Sequence, residues 1–282
     1  MVDHNYEKNF YLAKITNQCS HYEKTRKFMK EIEKAKKEDL TPEERTLLFS
    51  SLKNCISTRL TSYRSILNLV TQEQQSPQST NTPQLLILLK IFDKELKELC
   101  KEALETLDSL LKKDPNDESK VFYFKTKGEY HRYISECKSD TQIEDNKRRR
   151  SDNKPSETKQ TELEKAEECY KNANEHATKL LCTNPIKLSL DLSYSEFYYE
   201  IKKDTKEALR IAKESFNVAV QLLEKVEDGI NNDSIKVLHL IKDNIDKWEK
   251  EVKVNEEQEQ QKEKDEIEED VIQEKEDGNE EQ

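Results

Sequence analysis

Residues that interrupt helices are scarce in this chain. Its 282 residues include three glycines and six prolines, and Gly128 is the single glycine of the first two hundred positions. Glycine and proline are the least favourable residues inside a helix, whereas Lys, Glu, Leu and Ala, which are frequent here, favour helices. We therefore predict an all-α fold of long helices, arranged as a bundle or an α-solenoid.

A few capping motifs divide the chain into helices. Thr41, Pro42 and Glu44 combine an N-cap, a first-turn proline and a capping-box glutamate, so a helix begins here and runs to about residue 70. Further helices are predicted at 84–112, 119–136, 161–181, 186–202, 205–226 and 233–253, with two shorter ones before residue 40. This makes eight or nine helices, and their unequal lengths argue against a 34-residue tetratricopeptide repeat.

The net charge of −11 has a local origin. Residues 255–282 carry fourteen acidic side chains and three lysines, whereas residues 1–254 carry 45 basic and 45 acidic side chains. We predict a folded domain over 1–254 and a disordered acidic tail over 255–282. The balanced domain lacks a concentrated basic face, so we expect no nucleic-acid partner.

A second polar segment, residues 140–160, is predicted to be a mobile loop inserted in the domain. It contains the sequence KRRR before Ser151. This run is a solvated cluster of charges, a nuclear-import patch or a basophilic kinase site, and the sequence does not select among the three.

Several classes of function have no support in the sequence. The six cysteines stand singly, so we read them as buried thiols of a reducing compartment and expect no metal or cofactor. The longest apolar run, LLILL at 85–89, is too short to cross a bilayer, so we expect no membrane partner. No nucleotide-binding or zinc-protease motif is present, and we predict no enzymatic activity. We expect the protein in the cytoplasm, or in cytoplasm and nucleus.

The stretch SKVFYFKTKGEYHRYISE, 119–136, places basic residues around the isolated glycine. The helical period puts Lys125, Gly128 and Arg132 on one face, with Tyr133 at its border. We interpret Gly128 as a gap in which another chain or helix approaches. The face is either an ordinary solvated surface or an anion site, because lysine, arginine and a tyrosine hydroxyl are the groups that bind phosphate.

Three other helices present comparable faces. Lys53, Leu60 and Arg64 share one face, whereas Arg59 lies about 120° from Lys53. Two more mixed faces comprise Leu192, Ser193, Glu196 and Glu200, and Val237, Leu240, Asn244 and Trp248.

These segments resemble the 14-3-3 family. The stretch 119–136 is similar to the family signature S-K-V-F-Y-x-K-M-K-G-D-Y-x-R-Y, with Thr126 for methionine and Glu129 for aspartate. Similar motifs occur at 40–54, 184–201 and 233–248, and the resemblance covers about residues 5–250. It implies nine antiparallel helices in a cup-shaped dimer. Each protomer would hold a phosphoserine or phosphothreonine peptide in an amphipathic groove.

The resemblance also implies roles for individual residues. Lys53, Arg132 and Tyr133 would bind phosphate, with Arg64 one turn beyond and Gly128 in the groove floor. The groove would be completed by Leu60, Lys125, Leu192, Ser193, Glu196, Glu200, Val237, Leu240, Asn244 and Trp248, with Asn244 holding the peptide backbone.

Departures from the family predict weaker binding. Leu60 replaces a phosphate-binding arginine, Ser193 an asparagine, and Glu196 an aliphatic residue. Loss of one charge-assisted contact costs about 1.5–3 kcal/mol. We expect binding to favour basic residues near the phosphate. The alternative is a phosphate-independent scaffold of the same fold that binds unmodified peptides.

The resemblance further implies a dimer interface. Leu88 and Ile91 stand where the family has tyrosine and lysine, and His21 and Lys24 where it has arginine and an acidic residue. Glu95 keeps its carboxylate. We therefore expect a homodimer with a more apolar interface and one remaining pair, His21 with Glu95.

Overall fold

The computed structural model describes residues 4–75, 81–137, 157–223 and 232–277, and these residues contain nine α-helices and no strand. The helices are α1 His4–Gln18, α2 Tyr22–Ala35, α3 Pro42–Gln75, α4 Thr82–Leu111, α5 Asp117–Glu136, α6 Glu157–Ala177, α7 Pro185–Phe197, α8 Thr205–Leu223 and α9 Asn232–Asp277. The all-α prediction is confirmed. Ser151 and its basic run lie outside the described residues, and of the predicted loop 140–160 only the last four residues are described, as the start of α6.

Capping side chains fix the helix starts that the sequence predicts. Glu44 accepts a hydrogen bond from the Thr41 backbone N–H at 2.6 Å, and the Thr41 hydroxyl accepts one from the Glu44 N–H at 3.3 Å. The capping box at α3 is thus confirmed. Asn116 caps α5 through the Ser119 N–H at 2.8 Å, and Asp204 caps α8 at 3.0 Å.

Several helix boundaries differ from the prediction by a few residues, and in two places the kind of structure differs. The predicted helix 186–202 ends as an α-helix at Phe197 and continues as a π-helical turn, Tyr198–Lys202. At the C-terminus, α9 continues to Asp277, so the expectation of a disordered tail from residue 255 is wrong for residues 255–277. The prediction of disorder was based on the net charge of this segment. The intrinsic helix propensity of its many Glu, Gln and Lys residues outweighs that repulsion.

The chain divides into two compact units, Met1–Lys179 and Leu180–Gln282, called unit 1 and unit 2 here. Unit 1 has a continuous core contributed by α1 to α5, with Met29, Leu48, Tyr63 and Leu96 almost fully buried. Unit 2 has its own core, in which α7, α8 and α9 pack around Trp248. Each unit therefore buries the apolar faces of its helices independently.

A buried ionic cluster joins α1 to α3 in unit 1. The Glu44 side chain is fully buried, and it accepts hydrogen bonds from Lys36 at 2.5 Å and from the Tyr6 hydroxyl at 2.6 Å. Burial alone would raise the pKa of Glu44, but the hydrogen bonds from Lys36, Tyr6 and Thr41 lower it overall. The bond to Glu44 raises the pKa of Tyr6 to about 12. A buried carboxylate is thus kept charged by donors from three segments.

The close packing of α5 on α6 explains the isolated glycine. A Cβ atom at Gly128 would lie 3.0 Å from Cζ and 3.1 Å from both Cε atoms of Tyr170, whose ring is fully buried. Glycine lets this ring lie against the α5 backbone. The predicted approach of another helix is confirmed. The expectation that Gly128 lies in the groove floor is wrong, because the glycine faces α6.

In the part of the chain that the structure describes, no helix combines the length and the apolar character needed to cross a membrane. The same residues contain no cluster of three or more His, Cys, Asp or Glu side chains suited to a metal ion.

Candidate functional site

A cavity of about 280 Å³ separates α3 from α5 in unit 1. Its walls include four of the predicted site residues, Lys53, Leu60, Lys125 and Tyr133. The remaining lining residues are Thr46, Phe49, Ser50, Ile56, Ser57, Phe122, Thr126, Glu129 and Tyr130. The site therefore has an apolar floor and a small number of charged groups, which is the usual composition of a ligand pocket.

Contacts at both ends of the cavity fix the alignment of its two helices. Arg45 bonds Glu118 at 3.1 Å, and the Tyr63 hydroxyl donates to the backbone carbonyl of Glu136 at 3.2 Å. Both pairs are 73 residues apart in sequence, so α3 and α5 run parallel and in step. Residues about 72 apart consequently lie at the same level along the two helices.

This alignment explains which predicted residues come together. Lys53 lies level with Lys125, and Leu60 lies level with Arg132. The two levels are seven residues, or about 10 Å, apart along the helices. Cations on α3 and α5 therefore both line the cavity at the first level. At the second level Leu60 lines the cavity, whereas Arg132 is level with it but is not among the lining residues.

The two lysines at the first level differ in their ionic partners. The Lys125 ammonium lies 3.1 Å from the Glu129 carboxylate one turn along α5. Lys53 is exposed and has no ion-pair partner among the described residues. The Lys53 charge is thus available to an anion that enters the cavity, whereas the Lys125 charge is largely compensated.

At the second level the polar groups come from α5. The Arg132 guanidinium carbon lies 5.4 Å from the centre of the Tyr133 ring, a cation–π arrangement. Burial raises the pKa of Tyr133, so its phenol is protonated at neutral pH and remains a hydrogen-bond donor. Leu60, which is 6% exposed, supplies the apolar wall opposite.

Neither nearby arginine of α3 takes the place of the missing one. Arg59 lies 2.7 Å from the Glu23 carboxylate of α2, which confirms that it does not share the face of Lys53. Arg64 forms a two-bond ion pair with Glu136, through Nε at 2.8 Å and an Nη at 2.7 Å. The assignment of Arg64 as a phosphate ligand stays a prediction, and in this structure Glu136 holds its guanidinium.

Unit 2 carries the other predicted groove residues. The Asn244 side-chain amide donates to Glu196 at 3.2 Å, joining α9 to α7. Ser193, one turn before Glu196 on α7, is buried, whereas Glu200 in the π-helical turn is exposed. Leu240 is 52% exposed one turn before Asn244. This unit thus presents an apolar and acidic surface beside the amide that the resemblance assigns to the peptide backbone.

Three other predicted groove residues belong mainly to the core of unit 2. Trp248 is 1% exposed and stacks on Tyr199 with ring centres 4.8 Å apart. Leu192 and Val237 are partly buried against the same core. The assignment of Trp248 to the peptide groove stays a prediction, and in this structure its indole is enclosed.

The residues predicted for a dimer interface include an exposed apolar pair. Leu88 and Ile91 of α4 are 42% and 47% exposed, and the neighbouring Ile87 is more exposed still. Side chains of this size in water form the kind of patch that a second protein covers.

The charged residues predicted for the same interface have neighbours within the chain. Glu95 lies 3.8 Å from Arg59, which also pairs with Glu23. His21 and Lys24 line a second cavity, of about 260 Å³, together with Arg59 and Glu23. A His21–Glu95 pair between protomers, as predicted, would have to compete with Arg59 for the Glu95 carboxylate.

Sequence reasoning missed the acidic partners on α5. Glu129 contacts Lys125, and Glu136 contacts Arg64. The first of these was detectable as an i,i+4 pair of opposite charge. The second was not, because it depends on the alignment of α3 with α5.

The chain is similar to 14-3-3 proteins over most of its length. The family model described as 14-3-3 protein matches residues 12–249. A 14-3-3 protein of Eimeria tenella is 33% identical over 267 residues, which is 90% of this chain and 91% of that protein. A 14-3-3 protein homolog of Trichoderma harzianum is 36% identical over 245 residues, with 86% and 87% covered, and 14-3-3 protein 2 of Entamoeba histolytica is 32% identical over 243 residues, with 84% and 93% covered.

Proposed function

The chain belongs to the 14-3-3 family, and we propose that it binds phosphoserine- or phosphothreonine-containing segments of client proteins in the cavity between α3 and α5. Family membership supports a phosphopeptide-binding adaptor, and proteins of this family are adaptors without enzymatic activity. The protein would act by holding or masking a modified client, in the cytoplasm or in cytoplasm and nucleus.

One observation carries the proposal at the level of the site. Lys53 lies exposed at a cavity with an apolar floor, without an ionic partner among the described residues. Arg132 and Tyr133 lie further along the opposite helix. Together these residues provide a positive charge, a guanidinium fork and a neutral hydroxyl donor, which match the charge and the acceptor oxygens of a phosphate.

We further propose that the affinity is lower than a second arginine on α3 would give. Leu60 lies level with Arg132 along the two helices, so one charge-assisted bond to the phosphate is missing. Such a bond contributes about 1.5–3 kcal/mol, which corresponds to roughly a tenfold to more than a hundredfold change in Kd. Glu129 and Glu196 add negative charge near the proposed peptide surfaces, so basic residues beside the phosphorylated one would bind favourably.

A fluorescence-anisotropy titration tests the proposal. An Arg-x-x-phosphoserine-x-Pro peptide and its unphosphorylated twin are titrated with wild type, Arg132→Glu and Leu60→Arg. We expect wild type to prefer the phosphopeptide, Arg132→Glu to lose the preference, and Leu60→Arg to bind at least tenfold more tightly. Arg210→Glu on α8 is a control that makes the same charge change outside the cavity. Equal binding of both peptides by wild type would refute phosphate-dependent recognition.

The apolar lining of the cavity favours one alternative. Phe49, Ile56, Leu60 and Phe122 suit the apolar face of an unmodified helix, and such a peptide needs no phosphate. In this second hypothesis the protein is a phosphate-independent scaffold. A phosphopeptide preference that appears only in Leu60→Arg would support it.

We also propose a homodimer in which the exposed α4 patch, Ile87, Leu88 and Ile91, lies in the interface. An interface of apolar side chains is less sensitive to salt than one made of ion pairs. Analytical ultracentrifugation at low and high salt should therefore give the same dimer fraction, and Leu88→Lys with Ile91→Lys should give monomers. A dimer that dissociates in salt would contradict this assignment.

A further inference from the structure

We propose that Glu136 limits the phosphate affinity of the cavity by holding Arg64, and that a bound phosphate draws Arg64 away from it. The inference rests on the proposed phosphopeptide binding at this cavity. It makes Glu136 a positioning residue, because Glu136 acts through the guanidinium and not on the ligand.

The ion pair has a defined geometry. Nε of Arg64 lies 2.8 Å from one Glu136 oxygen, and an Nη lies 2.7 Å from the other. This two-bond arrangement is also the one that a guanidinium forms with phosphate. A carboxylate and a phosphate therefore compete for the same N–H donors. Arg64 can form the two-bond arrangement with only one of these anions at a time.

The position of the pair places Arg64 within one turn of the phosphate ligands. Arg64 follows Leu60 by four residues on α3, and Leu60 lies level with Arg132. Side chains on a helix lean toward its N-terminus, so a released Arg64 points back over Leu60 toward that level. The guanidinium would then occupy the space beside Arg132 where Leu60 leaves no cation.

Charge and exposure favour the exchange. A phosphorylated residue carries about −1.5 to −2 charges at neutral pH, compared with −1 for Glu136. The Arg64 and Glu136 side chains are 52% and 24% exposed, so water screens their attraction and little stability depends on it. A phosphate already bound to Lys53 and Arg132 should therefore compete well for Arg64.

The position of Glu136 in α5 makes its replacement feasible. Glu136 is the last residue of the helix, where the partial charge of the helix end is negative and a carboxylate is unfavourable. Its backbone carbonyl, which accepts the Tyr63 hydroxyl, is unchanged by a side-chain substitution. Glu136→Gln is therefore expected to fold like wild type.

Removal of a negative charge near Arg132 could strengthen phosphate binding without Arg64. A double-mutant cycle separates the two effects. Wild type, Glu136→Gln, Arg64→Met and the double variant are titrated with one phosphothreonine peptide and its unmodified twin. Methionine retains much of the aliphatic stem of Arg64 and removes the guanidinium.

The proposal predicts that the effect of Glu136→Gln depends on the presence of Arg64. Glu136→Gln should bind the phosphopeptide roughly threefold to tenfold more tightly than wild type, and Arg64→Met should bind it more weakly. Glu136→Gln should have no effect when Arg64 is already methionine. Glu207→Gln on α8 is a matched control, because it removes the carboxylate from a similar two-bond ion pair. In that pair Nε and an Nη of Arg210 lie 2.8 and 2.7 Å from the Glu207 oxygens. That variant should bind as wild type does.

Three outcomes overturn the inference, and they are distinguishable. If wild type prefers the phosphopeptide but Glu136→Gln tightens binding equally with and without Arg64, or not at all, the role of Arg64 is refuted and the proposed function stands. If neither wild type nor Glu136→Gln distinguishes the two peptides, both proposals fail. Equal gains in binding of the unmodified twin would also refute an effect directed at phosphate.

Discussion

Replacement of Gly128 by alanine tests the reason for the single glycine in the first two hundred residues. Inside a helix the change normally stabilises a protein by about 0.8–1 kcal/mol, because alanine has the higher helix propensity. Here the added Cβ would meet the fully buried ring of Tyr170 at 3.0–3.1 Å. At these distances the Tyr170 ring must move by a few tenths of an ångström, and its complete burial opposes that movement.

The relative sizes of the packing cost and the propensity gain decide whether Gly128→Ala stabilises or destabilises the protein. Insertion of a methyl group into a tightly packed interior costs about 1–3 kcal/mol, which exceeds the gain in propensity. Gly128→Ala should therefore destabilise unit 1 by roughly 0–2 kcal/mol in total. In a Tyr170→Leu background the ring is absent, and the same change should instead stabilise by about 0.8 kcal/mol or slightly more.

Urea unfolding followed by far-UV circular dichroism measures all four proteins of this cycle. Tryptophan fluorescence is unsuitable, because Trp248 is the single tryptophan and belongs to unit 2. The decisive quantity is the change of sign between the two backgrounds. Stabilisation of the wild-type background by about 1 kcal/mol would refute the reasoning, since it would show that the ring does not require the glycine.

Two further predictions concern stability, and a third concerns the environment of Trp248. The pKa of Glu44 is lowered in the folded state, so its ionisation stabilises the fold fully above the unfolded pKa of about 4.3, and this stabilisation is lost as the pH falls through the folded value. Glu44→Gln should therefore make the free energy of unfolding, measured in urea, depend less on pH between pH 5 and 3. An unchanged pH dependence would contradict this. Asn116→Ala should lower stability by about 1 kcal/mol in the same urea assay through loss of the α5 cap, while Asn116→Asp should cost much less. Tyr199→Leu should red-shift Trp248 emission by uncovering the indole, and an unchanged spectrum would show that the stack does not shield it.

Local signals predicted the helices well. The capping box at Thr41 and Glu44 and the caps at Asn116 and Asp204 each act within a few residues, so the sequence contains both partners of each interaction. The C-terminal segment was mispredicted because two local properties oppose one another there. Its charge favours disorder and its composition favours helix.

Contacts between helices were less accessible. Gly128 indicated a close approach but not the identity of Tyr170, which lies 42 residues later in the chain. The absence of Arg59 from the cavity followed from helical angles alone. The pairing of Arg64 with Glu136 could not be predicted in this way. These two residues are 72 positions apart, so their contact depends on how α3 and α5 are aligned.

The two ends of the α3–α5 alignment differ in a way that bears on function. At one end Arg45 is buried, with its side chain 8% exposed, and bonds both Ser119 at 2.7 Å and Glu118 at 3.1 Å. A buried guanidinium is costly to leave without partners, so this end fixes the level of Lys53 relative to Arg132. At the other end the pair of Arg64 and Glu136 is exposed and its loss costs little. In the proposed exchange, a phosphate can therefore take Arg64 without disturbing the spacing of Lys53 and Arg132, so affinity would change while the proposed site stays in place.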